Sequence, residues 1–191
     1  MLAHMPAALD RFMPRPDVAK RHEILIHAPA DLVMKVARNF DFRSIAMIRA
    51  LFWLRARLLG GRPAHESPST GFISDMLRLG WGRLVDESHL FIAGAACQPW
   101  LADVVFSPIA AENFAAFAEP DRVKIVWTLE TESIGPEQTR FSTETRVLAT
   151  DAQARAKFQS YWRIFSIGIL LIRLFLLSGV RREAEHQWRS H

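Results

Sequence analysis

From Arg21 to His27 the chain alternates, with His22, Ile24 and Ile26 on one side and Glu23, Leu25 and His27 on the other. That period of two predicts a strand. APAD then turns the chain, and Pro29 just ahead of ADLVMKVARNF suits a helix start. A second helix is predicted over Phe42 to Leu59, apolar on nearly every side, with Arg43, Arg49, Arg55 and Arg57 spread through it. GGRPAHESPST, Gly60 to Thr70, is a loop, and ISDMLRLG after it reads as a short helix. Strand character returns from Trp81 to Asp86 and from His89 to Cys97, and Asp103 to Phe106 is a further candidate. AAENFAAFAEP reads as a short helix ended by Pro120. Two longer strands, Val123 to Glu132 and Thr139 to Thr150, flank the hairpin loop SIGPEQ.

The most apolar stretch, RIFSIGILLIRLFLLSGV from Arg163 to Val180, carries Arg173 in its midst. A membrane span needs about 20 predominantly apolar residues, and arginine near its centre costs at least about 2.5–3.5 kcal/mol. The run from Ile164 to Val180 is shorter than that, and it continues a helix predicted to start at a capping box of Thr150 and Gln153. Gln159, Arg163, Ser166, Leu170, Arg173, Leu177 and Arg181 succeed one another by threes and fours. They form a narrow, mostly polar stripe on an otherwise apolar helix. No transmembrane segment is therefore expected; the helix reads as a long amphipathic element closing the chain over 150–185. An irregular arm over 1–18, with Pro6, Pro14 and Pro16, opens it. Strand, helices, an antiparallel run and a terminal helix make one α+β domain over 1–191.

Composition narrows the function classes. Of 191 residues, 50% are hydrophobic, and 24 basic against 20 acidic residues leave a formal charge of +4. The arginines are scattered among apolar residues without a dense basic tract, so no nucleic-acid partner is expected. The single cysteine, Cys97, excludes a disulfide framework and a cysteine zinc site within the chain, and its ordinary reading is a buried small hydrophobe. No basic segment followed by an apolar one opens the chain, so a reducing, cytoplasmic setting is expected. The 7 histidines form no HExxH and no helical pair, and no nucleotide-binding or serine-hydrolase motif occurs. No metal, cofactor or catalytic residue is assigned.

Four stretches carry a resemblance: RHEILIHAPADLV, SIAMIRALFWLRARLL, ISDMLRLGWGRLVDE and RFSTETRVLATDAQARAKFQSYWRIFSIGILLIRLFLL. Together they resemble the START-like superfamily, also called SRPBCC or polyketide-cyclase-like, over roughly Asp17 to Glu185. The resemblance implies a helix-grip fold, in which a curved antiparallel sheet wraps a long C-terminal helix around a largely apolar cavity. Members bind lipids, sterols, plant hormones or polyketide intermediates, and a minority catalyse cyclisation or dehydration.

Candidate lining residues follow from alternation. Phe141, Thr143, Thr145 and Val147 share one face, opposite Ser142, Glu144 and Arg146, which suit solvent. Val123, Ile125, Trp127 and Leu129 likewise oppose Lys124, Thr128, Glu130 and Glu132. The expected ligand-binding residues are Trp127, Thr143, Thr145, Tyr161, Phe165, Trp100 and Phe106, and the expected partner is a hydrophobic small molecule. Two alternatives stay open: a cyclase- or dehydratase-type enzyme, and an interaction protein whose apolar helices and Leu170 and Leu177 form a homodimer or touch a membrane surface.

Overall fold

The computed structural model describes residues 8–41, 46–60 and 70–190. Its elements are β1 (Val18–Ile26), α1 (Ala30–Asn39), α2 (Ala46–Leu59), α3 (Phe72–Arg78), β2 (Gly82–Asp86), β3 (Leu90–Cys97), β4 (Ser107–Pro108), α4 (Ala111–Phe114), β5 (Val123–Gly135), β6 (Gln138–Ala149) and α5 (Ala152–Arg189). The strands form an antiparallel sheet in the order β1-β6-β5-β3-β2, and the short β4 pairs with β3. α5 packs across one face, giving an α+β, helix-grip-like arrangement. Most of the loop Gly60 to Thr70, and the predicted helix start at Phe42, lie outside the described residues.

Alternation sorts the core into two layers. On the helix side, Ile26, Phe91, Ala93, Ala95, Trp127, Leu129 and Phe141 meet Val33, Met34 and Ala37 of α1 and Leu176, Leu177, Val180 and Ala184 of α5. A second cluster on that side joins Cys97, Val123, Val147 and Ala149 to Ala154 and Phe158 of α5. The outer side, which the alternation assigns to solvent, is instead covered: Leu9, Phe12 and Met13 of the N-terminal arm, with Ile109 and Phe114, pack over Leu90, Ile92, Ala96 and Val126. This cover buries Glu144, Arg146, Lys124 and Thr128. The groups are satisfied there. Arg146 Nε donates to Glu144 Oε1 at 2.6 Å, and its Nη1 donates to Asp10 Oδ1 at 2.6 Å and to the Met13 carbonyl at 2.8 Å. Lys124 Nζ donates to the carbonyls of Phe114 and Ala115 at 3.0 and 2.7 Å.

Four local expectations change. Asp103 to Phe106 forms no strand, and the short β4 follows it instead. The helix expected before Pro120 is only the short α4, ending at Phe114. The strands of the last hairpin run further than their patterns indicate, leaving Pro136 and Glu137 as a two-residue turn. The α5 cap is Asp151 rather than Thr150: Ala154 N donates to Asp151 Oδ1 at 2.7 Å. Thr150 is occupied elsewhere, its hydroxyl donating to the Arg122 carbonyl at 2.9 Å.

Gly94 in β3 marks the tightest point of the outer layer. A Cβ there would stand 2.4 Å from the Phe114 ring and 2.7 Å from Leu84 Cδ1. Gly94→Ala is therefore expected to cost about 1–3 kcal/mol by overpacking, read as a lower urea midpoint with unchanged slope.

Candidate functional site: the gap between sheet and helix

Asp151 starts α5 and the sheet holds it at two places. Its buried residues are Ala154 and Phe158 near one end and Arg173, Leu176, Leu177, Val180 and Ala184 toward the other. Between Phe158 and Arg173 none is fully buried, although this is the most apolar sequence in the chain. Tyr161 and Trp162 pack on the cluster around Phe158, and Ile172 and Phe175 on the cluster around Leu176. Phe165 and Ile169 lie on the same helical face between these sets and belong to neither cluster. Phe165 instead stacks on Tyr161, ring centroids 4.7 Å apart.

The polar stripe expected on α5 therefore splits. Gln159 and Arg163 are exposed, whereas Arg173 and Leu177 are buried. Threes and fours identify a face but not which neighbour it meets; here the sheet takes the one that includes Arg173.

Several helix-side positions of β1 and β6 are polar. His22 pairs with Thr143 across β1 and β6, Lys20 pairs with Thr145, and Thr145 pairs with Trp127 of β5. Arg173 reaches this region from α5. It is 7% exposed and its Nη1 donates to the Lys20 carbonyl at 2.7 Å. Among the described residues no carboxylate forms an ion pair with it. Burial pulls the guanidinium pKa down to about 10, with Glu144 opposing from the outer layer, where it is paired with Arg146.

Among the described residues three buried polar side-chain atoms have no hydrogen-bond partner: His22 Nδ1, Trp81 Nε1 and Trp127 Nε1. Such atoms are uncommon in native interiors. Burial lowers the His22 pKa, and the positive charges of Arg173 and Lys20 push it the same way. A depressed histidine favours the fold while neutral, so its contribution is present above the ordinary value of about 6.5 and is lost as pH falls through the folded value. His22→Gln is expected to show a smaller loss of stability than the parent between pH 7 and pH 5. Urea midpoints at the two values check this.

The seven lining candidates do not meet in one place. Thr143 is buried and Thr145 half-buried on β6, and Phe165 is half-buried on α5. Trp127 is buried among Phe72, Phe91 and Trp81, with ring centroids at 5.2, 5.7 and 6.1 Å, and Phe106 lies 5.0 Å from Trp81. Trp100, Tyr161 and also Phe106 pack on the cluster at the N-terminal part of α5, with Lys157 Nζ 5.6 Å from the Trp100 ring. Sequence reasoning passed over Arg173 as a stripe residue; its signal was a lone charge inside the most apolar run. Cys97 is fully buried, and burial pushes its thiol up to about 12, as suits a core residue.

Among the described residues, open clefts lie against the last turns of α5. The larger, about 730 Å³, is lined by His27, the turn at 135–138, Glu185, Trp188 and Arg189. The smaller, about 330 Å³, lies between α1 and α5 and includes Asn39, Phe40 and Glu183. None of the seven candidates lines either one.

No family model matches this chain. No curated protein matches it in sequence either. Among solved structures it is similar to a hypothetical protein of Helicobacter pylori, at 10% identity and TM-score 0.44, covering 92% of this chain and 93% of that one. It is also similar to the Zhui aromatase/cyclase of Streptomyces sp. R1128, at 14% identity and TM-score 0.32, over 89% and 94% of the two chains. A protein of Thermus thermophilus matches at 12% identity and TM-score 0.33, over 87% and 97%.

Proposed function

We propose that the protein binds a hydrophobic small molecule in the gap between α5 and the sheet. The observation that carries this reading is the absence of Phe165 and Ile169 from both core clusters, midway along a helix gripped on either side. Apolar helix residues on one wall and Thr143, Thr145 and His22 on the other give a mostly apolar site with a few orienting polar groups. Each Å² of apolar ligand surface buried there contributes about 25 cal/mol. Ile169→Trp fills the gap, and it is expected to weaken binding of the neutral probe N-phenyl-1-naphthylamine about tenfold in a fluorescence titration, each tenfold being about 1.4 kcal/mol. Equal affinity in the parent and the variant would overturn the assignment.

A second reading is favoured by the opposite face of the same helix. Ile164 and Ile167 are 67% and 69% exposed, Leu170 and Leu174 are also exposed, and the neighbouring α2 exposes Trp53, Leu54 and Leu58. Isolated exposed apolar residues need no explanation, whereas a group of this size on adjoining helices does. α2, and α5 as far as Arg182, contain arginine and lysine but no acid, with Arg57 and Arg163 exposed. Such a surface suits an anionic bilayer, and two copies face to face would oppose like charges. Trp53→Ser with Ile167→Ser is expected to abolish co-sedimentation with phosphatidylglycerol vesicles. A sedimentation-velocity dimer that the same pair of changes dissociates would assign the surface to self-association instead.

A further inference from the structure

The geometry points to Arg173 as the anchor for the carboxylate of an apolar acid bound in the gap, which makes the ligand an acidic amphiphile. This rests on the reading of the gap as an apolar binding site.

A buried guanidinium is costly unless paired, because its charge leaves water without compensation. Arg173 is buried and makes one hydrogen bond among the described residues, to the neutral Lys20 carbonyl. The carboxylate that acts on it, Glu144, belongs to the outer layer and is already held by Arg146 at 2.6 Å. Using Nη1 for the carbonyl leaves the Nε and Nη2 edge of the fork, whose two parallel N–H groups match the two oxygens of a carboxylate. His22 Nδ1, buried and without a partner, belongs to the residue two along β1 from the Lys20 carbonyl that receives Arg173, and the positive charges of Arg173 and Lys20 act on its ring. An anion entering there would meet two positive charges and an unused imidazole nitrogen, while the acids of α5, Glu183 and Glu185, lie more than two turns beyond Arg173, Glu185 accepting from His27 N. Placement along the helix supplies the second half of the argument. Arg173 stands where the packed segment from Leu176 onward gives way to the loose one, so a head held by Arg173 directs its apolar body along Ile169 and Phe165.

The test compares dodecanoate with dodecanol by calorimetric titration of the full chain. The parent is expected to bind the acid at least about tenfold more tightly than the alcohol, the size of a charge-assisted hydrogen bond. In Arg173→Met that preference disappears while dodecanol affinity is kept. A parent that binds both equally, or an Arg173→Met that keeps the preference, overturns the anchor and leaves the apolar site standing. A parent that binds neither overturns the site and the anchor with it. Where Arg173→Met does not fold, dodecanoate carrying carbon-13 in its carboxyl decides in the parent by its chemical shift. Bound beside Arg173, the carboxyl stays ionised well below the titration point of the free acid; titration at or above that point overturns the anchor.

Discussion

Arg146→Met is expected to lower the unfolding free energy by about 3–5 kcal/mol, the usual consequence of removing one partner from a buried ion pair. Arg146 and Glu144 are both shielded beneath the N-terminal arm. Losing the guanidinium leaves the Glu144 carboxylate with Arg21 at 3.6 Å and strips the Met13 carbonyl and Asp10 of their donor. The arm is held to the sheet through those two groups and through Leu9, Phe12 and Met13, so its attachment weakens as well. Glu144→Leu combined with Arg146→Met removes the orphaned charge and is expected to recover most of the loss, since well-packed apolar replacements of buried pairs are often neutral. Urea denaturation of the two variants measures both effects. A loss below about 1 kcal/mol in the single variant, the range of an exposed pair, would show that the arm does not cover this pair in solution.

Leu177→Ala is expected to cost about 2–5 kcal/mol, while Ile167→Ala changes stability by no more than about 0.5 kcal/mol. Both residues lie in the same apolar run and look alike in the sequence. Leu177 is 1% exposed, in the cluster shared by β1, β3, β5, β6 and α1, and truncating it leaves a cavity bounded by the sheet. Ile167 projects from the ungripped middle of α5, where no neighbouring layer covers it. Thermal or urea unfolding of the pair tells whether the helix is gripped by the face that contains Arg173. Equal costs would mean that the middle of the helix is packed as tightly as its end.

Much of the architecture was legible because it follows from period. Two-residue alternation placed His22, Ile24 and Ile26 on one side of β1 and Phe141, Thr143, Thr145 and Val147 on one side of β6, where the structure has them. The absence of proline after Gln153 made α5 one helix, and it runs unbroken to Arg189. Errors gathered where two segments compete for one role. Thr150 and Asp151 both suit a cap, and the choice depends on Arg122, which is distant in sequence and binds the threonine hydroxyl. The outer strand face looked solvated because its polar residues alternate correctly; only the returning arm shows that they are buried and paired.

The sequence by itself determined the α+β order, the antiparallel strands and the apolar terminal helix, because periodicity is a local property of the chain. Which side of that helix meets the sheet was decided by tertiary structure alone. A helix apolar on most faces has several orientations of similar burial, and the choice among them depends on shape and on the Lys20 carbonyl, which receives Arg173. The same holds for the site. Thr143, Thr145 and Phe165 could be named from pattern, but how closely the layers that carry them approach is set by packing between distant segments, and no local pattern encodes it.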